Sequence, residues 1–212
     1  MQLKNFIDHT NLKPTATPAE IQELCKEAKT YGFKAVCVNG CHVGLAKESL
    51  KGSEVKLAAV IGFPLGAMST EAKVFEAKNC IEHGADEIDM VINIGWLKSN
   101  MDDLVREEIA EIKRAIGDKL LKVILETCFL SEEEKKRACI LSVEANADFV
   151  KTSTGFGSGG ATFEDVALMK KMVAGKAKIK ASGGVRDKET AIKYIELGVE
   201  RIGTSSGPSL VK

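Results

Sequence analysis

Two lysines stand where a strand should carry an apolar side chain. Lys151 lies in Phe149-Val150-Lys151-Thr152-Ser153-Thr154-Gly155, and Lys180 lies in Lys178-Ile179-Lys180-Ala181-Ser182-Gly183-Gly184. Asp89 interrupts a third apolar run, Glu87-Ile88-Asp89-Met90-Val91-Ile92-Asn93. A free lysine has a pKa of about 10.4, so its amine is protonated and inert at neutral pH. Burial and a neighbouring cation both lower that value. The neutral amine can then attack a carbonyl and form a Schiff base. A carboxylate nearby can move protons, directly or through water. Lys151, Lys180 and Asp89 supply those three parts. The competing reading makes each lysine a solvated residue at a strand end, with Asp89 a structural partner for either.

Two glycine-rich segments are suited to an anion. Ser182-Gly183-Gly184-Val185-Arg186 and Gly203-Thr204-Ser205-Ser206-Gly207 each follow an apolar run. Glycine lets backbone N–H groups approach an oxyanion closely, and serine hydroxyls add donors. Plain tight turns are the alternative.

The elements that must position these residues alternate along the chain. Apolar runs predict strands at Phe6 to His9, Ala35 to Val38, Leu57 to Gly62, Ile88 to Ile92, Leu121 to Leu125, Phe149 to Thr152, Ile179 to Ala181 and Arg201 to Gly203. Helix signals fall between them. Thr17-Pro18-Ala19-Glu20 and Ser131-Glu132-Glu133-Glu134 carry the pattern of a capping box. Val105, Ile109, Ile112 and Ile116 form a one-faced stripe, as do Val166, Met169 and Val173. Helix ends are expected at Gly32, Gly84, Gly117, Gly175 and Gly198. Repeated strand–helix–strand units with short loops imply parallel strands and right-handed crossovers. Eight such repeats predict a single α/β domain over residues 1–212, a closed (β/α)8 TIM barrel. An open doubly wound sheet usually has a glycine-rich turn after its first strand. Thr10-Asn11-Leu12-Lys13-Pro14 has no glycine there, so the barrel is preferred.

Barrel active sites form at the C-terminal ends of the strands. Side chains alternate along a strand. Ile88, Met90 and Ile92 are therefore expected against the helices, with Asp89, Val91 and Asn93 facing inward. Lys122 and Glu126 share a parity on the fifth strand, as do Lys178 and Lys180 on the seventh. An inward orientation of all these would put a mixed charge network inside the barrel.

The balance of 30 basic and 30 acidic residues gives no reason to expect nucleic acid or a membrane as partner. No apolar stretch approaches the roughly 18 residues of a membrane span, and the opening residues hold no signal-peptide run. A cytoplasmic location is expected. The six cysteines then read as free thiols in or near the core.

These segments together resemble the deoxyribose-phosphate aldolases. The match runs colinearly through Ile7-Asp8-His9-Thr10, Ala35-Val36-Cys37-Val38-Asn39, Ile61-Gly62-Phe63-Pro64-Leu65-Gly66, Gly84 to Val91, Phe149 to Phe156, Ile179 to Arg186 and Gly203 to Ser206. The resemblance implies that Lys151 forms the imine, Lys180 depresses its pKa, and Asp89 relays protons. It assigns Gly155, Gly183, Gly184, Gly203, Ser205 and Ser206 to a phosphate site. Asp8 and Thr154 fall around the substrate hydroxyls and the catalytic water. It further implies a homodimer or homotetramer acting on phosphosugar and aldehyde substrates, with no metal and no organic cofactor. Gly40 replaces a proline frequent in the family, and the chain ends in Ser209-Leu210-Val211-Lys212, without the tyrosine that some members carry.

The implied reaction is cleavage of 2-deoxy-D-ribose 5-phosphate at C2–C3, the bond next to the imine carbon. A transaldolase-like enzyme would keep the lysine but act on a ketose. A phosphosugar isomerase or a non-catalytic binder would form no imine. A metal or redox module around Cys37, Cys41 and His42 is a further alternative on a weak pattern.

Overall fold

The computed structural model describes residues 2–212. Its strands are β1 (Ile7–Asn11), β2 (Ala35–Asn39), β3 (Lys56–Ile61), β4 (Glu87–Val91), β5 (Leu120–Ile124), β6 (Phe149–Lys151), β7 (Lys178–Ser182) and β8 (Arg201–Thr204). Each pairs in parallel with the next and β8 pairs with β1, so the sheet closes as a barrel. The helices are α1 (Pro18–Tyr31), α2 (Val43–Ser49), α3 (Thr70–Glu82), α4 (Ile94–Lys98), α5 (Asp102–Ile116), α6 (Glu132–Glu144), α7 (Phe163–Val173), α8 (Lys188–Glu196) and α9 (Gly207–Val211). The expected (β/α)8 architecture is therefore observed.

Local sequence explains several boundaries. Glu20 N donates to Thr17 Oγ1 at 3.3 Å and Thr17 N donates back to Glu20 Oε2 at 2.7 Å, so the capping box opens α1 with Pro18 in its first turn. Ser131 and Glu134 repeat this at α6. Gly32 and Gly117 cap α1 and α5 with positive φ. At α7 the cap is Ala174, at φ 47°, and Gly175 only follows it. Strand ends shift by a residue or two. Phe6 belongs to a 3-10 turn before β1, while β7 extends to Lys178 and Ser182. The short helices α2, α4 and α9 had no apolar stripe long enough to announce them.

Alternation along β4 is as expected in its first five residues. Ile88, Met90 and Ile92 join the core between sheet and helices, with Ile21, Leu24, Ile109 and Ile112. Asn93 departs from the expected inward orientation. It lies beyond β4 and caps α4, its Oδ1 accepting from Trp96 N at 3.1 Å. Lys178 sits at the exposed start of β7, paired with Glu200 at 3.0 Å.

One buried ion pair lies outside the barrel proper. The β3–β4 ladder ends at Ile61 and Met90, so the Val91 carbonyl projects beyond its neighbour strand. Lys73 of α3 supplies the missing donor, with Nζ 2.9 Å from Val91 O and 2.8 Å from Glu108 Oε2 of α5. Both side chains are fully buried.

Barrel interiors are ordinarily filled by branched apolar side chains. Here Leu12, Cys37, Ala58 and Val60 do so on the β1–β3 side, with Phe63 packed on them. Elsewhere the interior mixes apolar Val91, Ile124 and Phe149 with charged side chains. No helix among the described residues is long and apolar enough to cross a membrane.

Candidate active site

Strand register brings the interior charges together. Asp89 stands level with Lys122 across β4–β5, and Lys151 level with Lys180 across β6–β7. Lys122 Nζ lies 2.7 Å from Asp89 Oδ1, while Lys151 and Lys180 reach Asp89 Oδ2 at 2.9 and 2.8 Å. Lys180 also contacts Asp8 at 2.6 Å, and Lys122 contacts Glu87 at 2.6 Å. Arg201 closes the ring. Its Nε donates to Asp8 at 2.6 Å, and its two terminal nitrogens hold Glu87 at 3.0 and 2.7 Å. All seven side chains are buried.

The network joins four cations, Lys122, Lys151, Lys180 and Arg201, to three carboxylates, Asp8, Glu87 and Asp89. Fully ionised, it carries one positive charge too many, and an uncompensated buried charge is costly. One cation must yield a proton for balance. Lys122, Lys180 and Arg201 each face two carboxylates, whereas Lys151 faces Asp89 alone. Lys151 is therefore the weakest holder of its proton.

The titration directions agree. Burial pushes the Lys151 amine below its ordinary value, Asp89 opposes this, and Lys180 adds to it. Burial also acts on Lys122 and Lys180, yet their carboxylate partners outweigh it and hold both above the usual lysine range. Asp89 is drawn well below the carboxylate range, against burial, by Lys122, Lys151 and Lys180. Burial and Lys180 were both expected to depress Lys151. Burial is the larger cause and Lys180 the smaller, since much of its charge is already matched by Asp8 and Asp89.

Above the network a cavity of about 520 Å³ opens at the C-terminal ends of the strands. Lys151 reaches it, and Thr154, Gly155, Gly183, Gly184, Gly203 and Ser205 line it. Gly183 and Gly184 have φ of 83° and 84°, successive left-handed residues that only glycine adopts without strain. Main chain thus borders the cavity with no side chain between. Sequence-predicted residues outside its lining are Lys180, Asp89, Asp8 and Ser206. Asp8, expected around substrate hydroxyls, is wholly enclosed by Arg201 and Lys180. Ser206 opens α9, its N–H donating to Thr204 Oγ1 at 2.9 Å. A larger cavity, about 730 Å³, lies at the opposite end of the barrel, lined by Phe149, Lys178 and Arg201 among others. Lys151 is not among its lining residues, so the smaller cavity is the one that Lys151 meets.

Sequence reasoning missed Glu87, Arg201 and His9. His9 lines the smaller cavity and bonds Glu27 at 2.7 Å. Glu126 shares a parity with Lys122, which would turn it inward on an extended strand. Instead its carboxylate turns to the next strand's loop, accepting from Thr154 N at 3.1 Å and from the Thr154 hydroxyl. Cys37 is buried inside β2 beside the charged ring, whereas Cys41 is exposed on a turn beyond it. Among the described residues no three His, Cys, Asp or Glu side chains are grouped to hold a metal ion.

Comparison with known proteins gives a consistent picture. Residues 5–207 match the family described as DeoC/LacD family aldolase. The chain is 57% identical to the deoxyribose-phosphate aldolase of Finegoldia magna, over all of both chains. It is 58% identical to that of a Geobacillus species, covering 99% of this chain and 95% of the relative. Among solved structures, one described as QR15, an aldolase, superposes with a TM-score of 0.96 at 47% identity, covering all of this chain and 95% of the other. The tetrameric deoxyribose phosphate aldolase of Aeropyrum pernix superposes at 0.87 with 32% identity, covering 99% of this chain and 89% of the other.

Proposed function

This chain belongs to the DeoC/LacD family of aldolases, and from that premise we propose that it reversibly cleaves 2-deoxy-D-ribose 5-phosphate through an imine on Lys151. The products are D-glyceraldehyde 3-phosphate and acetaldehyde. The observation that carries this reading is the charge inventory of the barrel interior. The one cation with a single carboxylate partner is also the one whose amine meets the cavity.

The neutral Lys151 amine adds to the C1 aldehyde of the open-chain sugar, and uptake of a proton with loss of water leaves a protonated imine. Removal of the C3 hydroxyl proton sends the C2–C3 bonding electrons into that imine. D-Glyceraldehyde 3-phosphate leaves, and an enamine of acetaldehyde remains on Lys151. The enamine takes a proton at C2, and hydrolysis returns acetaldehyde and the free amine. Asp89 is held as a carboxylate by three cations, so it passes protons on rather than storing one. Lys180 is the proton-rich neighbour on the same oxygen.

The phosphate is assigned to the cavity end bordered by Gly155, Gly183, Gly184, Gly203 and Ser205. Gly183 and Gly184 follow β7, and Gly203 and Ser205 lie at the end of β8, where barrels often bind phosphate; Gly155 follows β6 beside them. Arg186, exposed at the same rim, adds positive charge. Ser206 lies just behind this wall, and Asp8 acts through Lys180.

The setting proposed is the cytoplasm, in deoxyribonucleotide breakdown, with the protein as a homodimer or homotetramer. The tetramer described for the Aeropyrum pernix relative supports assembly. So do Leu65 and Phe75, apolar side chains 75% and 73% exposed.

The test is trapping. Acetaldehyde plus borohydride should attach a two-carbon label to Lys151 alone, located by mass spectrometry of peptides. Lys151→Ala should abolish label and cleavage together. Aldol cleavage retained in that variant would reject Lys151 as the nucleophile.

A further inference from the structure

Glu126 follows β5 in an unusual way. Ladder bonds continue on both sides of it, from Leu125 N to Lys151 O at 2.9 Å and from Thr127 N to Thr152 O at 3.0 Å. Between them Glu126 adopts φ 53° and ψ 64°, the left-handed region, which is unfavourable for a side chain of this kind. An extended residue here would aim its carboxylate inward, on the parity of Lys122. The left-handed turn re-aims it toward the loop that follows β6. Strained backbone of this sort persists where surroundings over-determine it, commonly at ligand clamps.

The loop, residues 154–161, is held at its two ends. At the first, the buried Glu126 carboxylate accepts from Thr154 N and Oγ1, and Thr154 Oγ1 accepts from Phe156 N at 3.0 Å. The chain then lies against this anchor: a Cβ on Gly157 would come within 3.2 Å of Glu126 Cδ and 2.8 Å of Cys128 Sγ. At the second end, Ala161 N donates to Ser182 O and Gly183 O, both at 3.1 Å. A Cβ on Gly160 would lie 2.2 Å from Gly183 O, so the two glycine segments touch through bare main chain. Between the anchors Gly155, Phe156, Ser158 and Gly159 are exposed.

We propose that Glu126 is a positioning residue for phosphate recognition, fixing loop 154–161 as the wall of the cavity that faces the Gly183–Gly184 turn. This rests on the aldolase reading, which places the phosphate at that end. Glu126 touches no reacting atom. Its effect, through Thr154, is to hold Gly155 where it borders the anion, so it bears on the phosphorylated end of the sugar and not on the aldehyde end.

The experiment compares kcat/KM for 2-deoxyribose 5-phosphate and for unphosphorylated 2-deoxyribose in the intact protein, E126Q and E126A. Acetaldehyde–borohydride trapping is run on all three. In E126A the ratio of the two kcat/KM values should fall roughly tenfold or more, carried by KM for the phosphorylated sugar, the size of a lost hydrogen bond to a charged acceptor. E126Q keeps an oxygen for Thr154 N–H, so its ratio should fall less. E126Q is nearly isosteric and carries the test should E126A fold poorly. A ratio unchanged in both variants, in a parent protein that prefers the phosphorylated sugar and is trapped, overturns the assignment of Glu126 alone. A parent protein that is not trapped overturns the aldolase reading and this proposal with it, whereas a trapped parent without that preference overturns the phosphate assignment and this proposal but leaves the imine standing.

Discussion

The amines of Lys151 and Lys180 share a single oxygen, Asp89 Oδ2, at 2.9 and 2.8 Å. They are thus at most two hydrogen-bond lengths apart, yet their fates differ. Lys180 has Asp8 as a second carboxylate and Lys151 has none. Burial then lowers one amine's pKa while the other's rises. The difference follows from the partner count and makes the following outcomes calculable in sign.

Lys180→Leu should make imine formation require higher pH. The variant leaves three carboxylates facing Lys122, Lys151 and Arg201, a ring that balances only when Lys151 keeps its proton. The acid limb of the trapping rate against pH should move up by roughly one unit or more, the scale of a nearby charge. An unmoved limb would reject the electrostatic role of Lys180.

Glu87→Gln should act in the opposite direction. With one carboxylate removed, the positive excess grows, and Lys151 yields its proton more readily. The acid limb should fall to lower pH. Lys122 and Arg201 each lose a buried partner, so stability should drop by about 3 kcal/mol, read from urea unfolding. A limb that moves upward would contradict the charge inventory.

Acid should weaken the folded barrel in a defined window. Despite burial, Arg201 and Lys180 draw Asp8 down from 3.8 to about 2. A carboxylate depressed in the folded state contributes stability above its unfolded pKa and loses it as pH falls through the folded one. Urea midpoints should therefore decline between about pH 5 and pH 2, with Asp8 contributing about 2 kcal/mol. Asp8→Asn should flatten this decline. An equally steep decline in that variant would assign the acid sensitivity elsewhere.

Lys73 and Glu108 provide a stability test away from the cavity. Lys73→Met strands a buried carboxylate and the Val91 carbonyl, and should cost about 3–5 kcal/mol. Lys73→Met with Glu108→Leu removes both charges and should recover most of that loss. Thermal and urea unfolding of the single and double variants would decide it. A double variant no more stable than the single would show that the pair is worth more than its mutual compensation.

The barrel and its buried lysines were legible because each announced itself against a simple background. Strand and helix periodicities differ, so alternation along the chain reads directly. A lysine flanked by Val150, or by Ile179 and Ala181, breaks an apolar pattern and invites explanation. Glu87 and Arg201 stand at the first residues of β4 and β8, where a charged residue reads as a solvated rim. Only closure of the barrel reveals them as partners. The parity shared by Glu87 and Asp89 was the available clue. Lys73 occupies an inward position of α3 with Ala77 and Cys80, a stripe too weakly apolar to show that it was buried. Glu126 escaped because parity assumes extended backbone, and its left-handed turn breaks that assumption.

Arg201 and Asp8, clasped at 2.6 Å, are separated by 193 positions in the chain. A polypeptide emerging from synthesis holds Lys151 long before Arg201 arrives to complete the ring. Until then β1 lacks its β8 neighbour and Asp8 lacks its Arg201 partner. Completion of the ring is in this way deferred to the last strand: a chain that ends before β8 carries Lys151 without the closed barrel around it.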